Sequence, residues 1–364
     1  MLALLLPGCG PVDEDGRMKV RGPIAVAVDS TRLNEADTLY LGNPYALAID
    51  PYDGSFYVSD FFADRVFRFH RDGTLARAYG RPGRGPGEFL TPTLVFVLDE
   101  RTLAAADDEH ARIHLFDRES GEFLRSVPHE GRLGSSPPVI LGETAWIPSH
   151  NRGRGSSVLA WRLDGDEVRY LVPLPDDYVR SARGLGRYAA FYSMGVLTAW
   201  ADTLLVGMNG RNELFLANAH GRVLDTVPVP AARRRGVPAD VRARLDDDRK
   251  ASARDLFRAA SILNQAVRAP DGSTLLVHHD SDLDGELPGG LITARVFASV
   301  VSPDRRRACV DAEIPVSQDA RPIEGARGDT LFILDRRITA GERLETWVMA
   351  YRLDTRRCDW LPTR

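Results

Sequence analysis

Short apolar or alternating runs, broken by turn residues, fill most of the chain from Tyr45 onward, and few of them carry helical spacing. One unit is stated twice. The first copy reads Ala46-Leu-Ala-Ile-Asp50, Ser55-Phe-Tyr-Val-Ser-Asp60, Arg65-Val-Phe-Arg-Phe69 and Gly73. The second reads Leu94-Val-Phe-Val97, Leu103-Ala-Ala-Ala-Asp107, Arg112-Ile-His-Leu-Phe116 and Gly121. The step from Asp60 to Asp107 sets a period of about 47 residues, the length of one propeller blade.

Four antiparallel strands per blade, searched along the chain, give six sets: Tyr45–Tyr79, Thr93–Pro128, Pro138–Pro173, Gly195–Pro228, Ile262–Pro315 and Arg321–Pro362. Several outer strands share one ending, in Ser126-Val-Pro128, Thr226-Val-Pro228, Glu313-Ile-Pro315 and Trp360-Leu-Pro362; proline suits a strand whose outer edge is free. The expected fold is therefore all-β, a six-bladed β-propeller of four-stranded antiparallel blades. Either Ile24–Val28 or Thr38–Leu41 is placed to pair with the last blade and join the two ends. Two stretches break the period. Val241, Leu245, Leu256 and Phe257 have helical spacing, which predicts a short helical insertion at about 238–260, between blades four and five. Tyr178–Ser193 is a longer, Tyr- and Phe-bearing insertion.

Composition narrows the partners. The 364 residues are 43% hydrophobic with a formal charge of only -4, and Lys19 and Lys250 are the only lysines among abundant, dispersed arginines. Acidic residues interleave with the basic ones, and Arg233-Arg-Arg235 is soon followed by Asp246-Asp-Asp248, so no basic stripe exists for nucleic acid. Leu6-Pro-Gly-Cys9, closing a short apolar start, resembles a bacterial lipobox, in which the cysteine is lipidated. Residues 1–22 then read as leader and tether, and 23–364 as the propeller, held on the periplasmic side or the cell surface of the envelope by a lipid anchor alone. Cys309 and Cys358 occupy similar places in successive repeats; on neighbouring blades they are expected to lie too far apart for a bridge, as unpaired, partly buried thiols.

The spacing Asp60-x4-Arg65-Val66-x2-Phe69-x3-Gly73, its partner Asp107-x4-Arg112-Ile113-x2-Phe116-x4-Gly121, and the connector Gly80–Phe89 with Pro92 resemble the NHL-repeat class, and within it the bacterial six-bladed β-propeller lipoproteins. The motifs cover about a quarter of the chain, and blade four departs from them, with Met208 and Glu213 where the pattern has Asp and Arg. Propeller enzymes similar in fold, among them lactonases and amidating lyases, hold a metal in the central channel; that resemblance implies an enzyme as the alternative reading but names no catalytic residue here. The glycine-rich connector lacks the Lys-Ser/Thr pair and following helix of a phosphate loop, and Phe89 is expected to plug between blades.

Candidate chemistry lies at the ends of second strands. Asp60, Arg65, Asp107, Arg112, His150, Asn209, His278, His279 and Asp335 are the candidate channel-rim residues, the Asp–Arg pairs being read first as structural. Asp280, Asp282, Asp284 and Glu286, read as a loop after the second strand of blade five, alternate as ligands of a hard cation do; calcium is the one cofactor the residues suggest, although Leu291 stands where a bidentate glutamate belongs. The functional expectation is a monomeric, lipid-anchored module that binds a small molecule or an envelope protein. The alternative is a metal-dependent hydrolase or lyase with its site in the channel.

Overall fold

The computed structural model describes residues 24–35, 40–134, 136–151, 154–175, 195–240, 259–287, 291–316, 323–339 and 344–363, with the side chains of 282–294 and 323–324 outside that description. After β1 (Ala25–Arg32), blade one is β2 (Pro44–Ile49), β3 (Phe56–Asp60), β4 (Arg65–Phe69) and β5 (Leu75–Tyr79). Blade two is β6 (Pro92–Val97), β7 (Thr102–Asp107), β8 (Arg112–Asp117) and β9 (Phe123–Pro128). Blade three joins β10 (Arg132–Leu133) and β11 (Val139–Leu141) to β12 (Thr144–Asn151), β13 (Ser156–Arg162) and β14 (Val168–Pro173). Blade four is β15 (Gly195–Trp200), β16 (Thr203–Met208), β17 (Glu213–Ala217) and β18 (Val223–Pro228). Blade five is β19 (Ile262–Arg268), β20 (Thr274–Leu287), β21 (Leu291–Val301) and β22 (Arg307–Ile314), and blade six begins with β23 (Ile323–Arg327), β24 (Thr330–Ile338) and β25 (Leu344–Leu353).

Strand periodicity explains why the blades stack. In blade one Leu47, Ile49, Val58 and Phe67 point to one neighbour, while Ala46, Ala48, Tyr57 and Val66 point to the other, so both faces of the sheet are apolar and buried. Six core clusters result, one at each junction between successive blades, and the last joins Leu334 and Val348 of blade six to blade one. A closed circle of six junctions fixes the blade number. Phe89 is fully buried in the junction of blades one and two, as expected. Gly80 lets it in: its φ is +70°, and a Cβ there would lie 2.4 Å from the Phe89 ring.

Closure uses the first of the two candidate segments. β1 runs antiparallel to β25 from Ala25↔Leu353 to Arg32↔Trp347 and becomes the outer strand of blade six. That place was expected for Trp360–Pro362. Instead, after the short 3-10 turn η1 (Thr355–Arg357), β26 (Trp360–Pro362) crosses to blade five and adds a fifth strand beside β22, with Cys309 opposite Trp360. The expectation of unpaired thiols fails for the same reason: Cys358 is not on a neighbouring blade's rim but next to β22, and it forms a disulfide with Cys309 across a Cα–Cα distance of 5.4 Å.

The acidic run in blade five is also corrected. Its backbone is strand, not loop: β20 continues to Leu287, with Asp282 opposite Thr293, Glu286 opposite Ile292 and a register shift between them. The helical insertion expected at 238–260 is not supported by the described residues, because 241–258, which would carry it, lie outside them, as does Tyr178–Ser193. Among the described residues no helix is long and apolar enough to cross a membrane.

Candidate functional site

The turns between second and third strands open on one face of the propeller together with the connectors that lead into each blade. Asp60 ends β3 and is fully buried. Its Oδ1 accepts the N–H groups of Phe62 and Ala63, both at 2.9 Å, and its Oδ2 accepts that of Asn43 at 2.9 Å. Asp107 repeats this, taking Glu109 and His110 at 3.0 Å on Oδ1 and Leu90 at 2.7 Å on Oδ2. Each carboxylate thus closes its own turn and pins the segment that feeds the blade's first strand. The following turn residues Asp64 (φ 46°) and Ala111 (φ 50°) share a left-handed backbone. Arg65 and Arg112 stand opposite the aspartates in register, and Arg112 donates to Ser126 Oγ at 3.1 Å. Burial pushes Asp60 up, against the pull of its three N–H donors.

The other candidates are dispersed. Asn209 Oδ1 accepts the Leu263 N–H at 2.6 Å and ties blade four to blade five. Asp335 is buried against Arg337 at 2.8 Å, and His150 is buried at the end of β12. His279 Nδ1 meets Asn264 Oδ1 at 2.7 Å. His278 lies inside blade five, stacked on Phe297 and 3.8 Å from Asp311. Asp311 accepts N–H groups of Ala232, Arg233 and Arg234 at 2.5 to 3.0 Å and the Ser299 hydroxyl at 3.0 Å. Burial pushes its carboxyl up, but His278, Arg234 and these donors outweigh it and hold the group below the usual range. Asp280 is taken by the Ser261 hydroxyl and lies 3.5 Å from Arg235. The side chains of Asp282, Asp284 and Glu286, and all of Cys9, lie outside the described residues.

Two features were missed. The first is a cluster in blade two, where Asp107, His110 and His114 each offer a ligand atom, all within 4.8 Å of one another. His110 Nδ1 is 3.2 Å from Asp107 Oδ2. His114 sits among Phe89, Phe116 and Phe123, and neither of its nitrogens has a hydrogen-bond partner among the described residues. Burial holds it neutral, pushed down to about 4. The signal was present as Asp-x2-His-x3-His, but a search for repeating residues passes over histidines that occur in one copy only.

The second is a cleft of about 610 Å³ at the closing junction, between blades six and one. Ile49, Phe56, Phe332 and Val348 supply apolar wall, while Arg71, Arg327 and Arg352 oppose Asp29 and Asp329, leaving one positive charge in excess (three minus two). Arg327 donates to the Pro51 carbonyl at 3.1 Å, and Arg352 lies 3.7 Å from Asp329. This cleft exists because β1 closes the ring: Val28, Asp29 and Thr31 form one of its walls.

Comparison with known proteins agrees with the fold. The profile of the DUF5128 family, described as a 6-bladed beta-propeller, matches residues 33–131. Peptidyl-glycine alpha-amidating monooxygenase B of Xenopus laevis is 30% identical over 101 residues, covering 26% of this chain and 12% of that protein. The chain thus spans about an eighth of the length of that relative. A DUF4221-family structure from Bacteroides vulgatus aligns with TM-score 0.61 at 9% identity, over 90% of this chain and 97% of the other. A candidate exported protein from Bacteroides fragilis aligns with TM-score 0.60 at 10% identity, over 91% and 95%.

Proposed function

We propose that this six-bladed propeller is an extracytoplasmic binding module that takes an anionic ligand with an apolar body, a small molecule or a segment of an envelope protein, in the cleft between blades six and one. The cleft carries the reading: its volume lies in the range of small-molecule sites, and it pairs an apolar floor with a few convergent charged groups. Arginine suits the acid end of such a ligand because its fork meets carboxylate or sulfonate with two hydrogen bonds. The Cys309–Cys358 bridge supports an oxidising compartment. Lipidation at Cys9, with the propeller as a monomer on that tether, belongs to the same proposal; the mass of the mature N-terminus tests it, and an unmodified Cys9 removes the anchor from the account.

Anilinonaphthalene sulfonate, an anionic aromatic fluorophore, probes the cleft directly. It is expected to bind the wild-type protein saturably, and Arg71→Ala with Arg327→Ala is expected to weaken binding by about tenfold or more. Equal affinity in wild type and variant refutes this location.

The second reading, a metal-dependent hydrolase or lyase acting in the central channel, is supported by the partial likeness to the amidating monooxygenase. It predicts a metal on the propeller axis held by residues of several blades, such as His150 and His279. Anomalous scattering that places no metal there would end it.

A further inference from the structure

We infer that Asp107, His110 and His114 form a site for a borderline divalent metal, Zn2+ first among them, which fastens the connector 81–91 onto blade two. Three observations meet at this place. The donor atoms are already gathered within 4.8 Å of one another. Zinc with bonds of about 2.0–2.1 Å holds its ligand atoms about 3.4 Å apart, so side-chain rotations of about an ångström close the set. The donor chemistry, two imidazoles and one carboxylate, suits zinc and its transition-metal neighbours better than calcium or magnesium, which want oxygen.

The second observation is an unmet need. His114 is 2% exposed, and both its nitrogens, with His110 Nε2, are buried without a hydrogen-bond partner among the described residues. Leaving such groups unsatisfied is costly, and a metal supplies the lone-pair nitrogen of each ring with a partner that the apolar surroundings of Phe89, Phe116 and Phe123 do not offer. The third comes from the chain's own repeat. Blade one keeps the same aspartate cap through Asp60, yet carries Ala63 and Phe67 where blade two carries His110 and His114. The cap therefore needs no imidazole, and an aromatic hydrocarbon satisfies the packing at the position of His114. What the two histidines add is ligand capacity.

Asp107 links the site to the connector, because its Oδ2 already holds the Leu90 and Thr91 N–H groups at 2.7 and 3.3 Å. A metal on this carboxylate orders both its own ligands and the segment that carries Phe89. With Asp107 fully buried and the His110 side chain 10% exposed, the site is closed to all but a small fourth ligand such as water. It stands in the junction of blades one and two, apart from the cleft at the closing junction.

Tag-free protein dialysed against Zn2+ and analysed for metal is expected to keep one zinc per chain in the presence of excess calcium and magnesium. Its Tm is expected to rise by about 4 °C at a hundredfold excess of zinc over Kd. The double variant His110→Ala/His114→Phe installs blade one's own residues; it is expected to melt cooperatively and to bind zinc at least a hundredfold more weakly. Wild-type protein that retains no stoichiometric zinc, or a variant that binds it as well as wild type, overturns the assignment. Should the variant not fold, the Co2+-loaded wild type decides: the ligand-field bands of a low-symmetry nitrogen and oxygen site support it, and the spectrum of aqueous cobalt overturns it.

Discussion

Several buried carboxylates are held by backbone N–H groups, as Asp60 and Asp107 are, or by an arginine from a neighbouring blade. Asp50 shows the second kind: its Oδ2 accepts Arg118 Nη1 of blade two at 2.6 Å and the Tyr57 hydroxyl at 3.3 Å. Arg118→Met strands a fully buried carboxylate, so a loss of about 3–5 kcal/mol in urea unfolding is expected, with part of it regained in Asp50→Asn/Arg118→Met. Acid weakens the fold through buried histidines. His129 and His278 are each pushed down to about 4 by burial; His278 faces Asp311 and Asp280, which favour its charged form, and Arg234 and Arg235, which oppose it. Unfolded imidazole titrates near pH ~6.5, so their stabilisation is complete above that pH and is lost as pH falls toward about 4. Asp108, pushed up to about 6 by burial, acts in the opposite sense, and Asp311, held low, adds to the loss in stronger acid. His114 is likewise pushed down to about 4, so three histidines outweigh Asp108, and the Tm is predicted to drop between about pH 7 and pH 4.5, less steeply in His129→Gln; a flat profile contradicts it. At this scale the repeat exposed Asp60 and Asp107, because equal positions carry equal roles. The Asp311 cradle was hidden, since its N–H donors come from residues 77 to 79 positions earlier.

The inner strands were legible because both their faces are apolar and turns punctuate them, and five of the six expected outer strands, β5, β9, β14, β18 and β22, stand where the repeat puts them. The two chain ends were harder. Trp360–Pro362 has every mark of an outer strand, but hydrophobic pattern does not tell which of two adjacent free edges a strand will take. β1 occupies the edge of blade six over its whole length, and β26 takes the edge of blade five. The disulfide follows from that choice. Because it closes a sequence separation of 49 residues, Cys309→Ser/Cys358→Ser is expected to cost up to about 4 kcal/mol and to free β26 from β22. Non-reducing peptide mapping checks the bond itself, and unchanged stability on its removal contradicts the role given to it. Alternating aspartates and glycine are turn formers and predict a loop for the acidic run of blade five; ladder pairing with β21 overrides that local preference.

For the molecule as a whole, closure links fold to function. Each blade is stabilised by burying its faces on two neighbours, so the ring is only as secure as the junction of blades six and one. Deleting residues 1–33 removes β1 and bares the edge of β25. The expected result is loss of cooperative melting and aggregation, seen by calorimetry and light scattering, and an unchanged melt contradicts the closure. The same junction holds the arginine-bordered cleft, which no repeat analysis reveals because it is shared by the two ends of the sequence. A crystal structure with bound anilinonaphthalene sulfonate tests the account most directly. The rings are predicted against the apolar wall that Phe56 and Phe332 share, with the sulfonate at Arg71 or Arg327; a probe found on the central axis or on an outer blade edge, with this cleft empty, contradicts it.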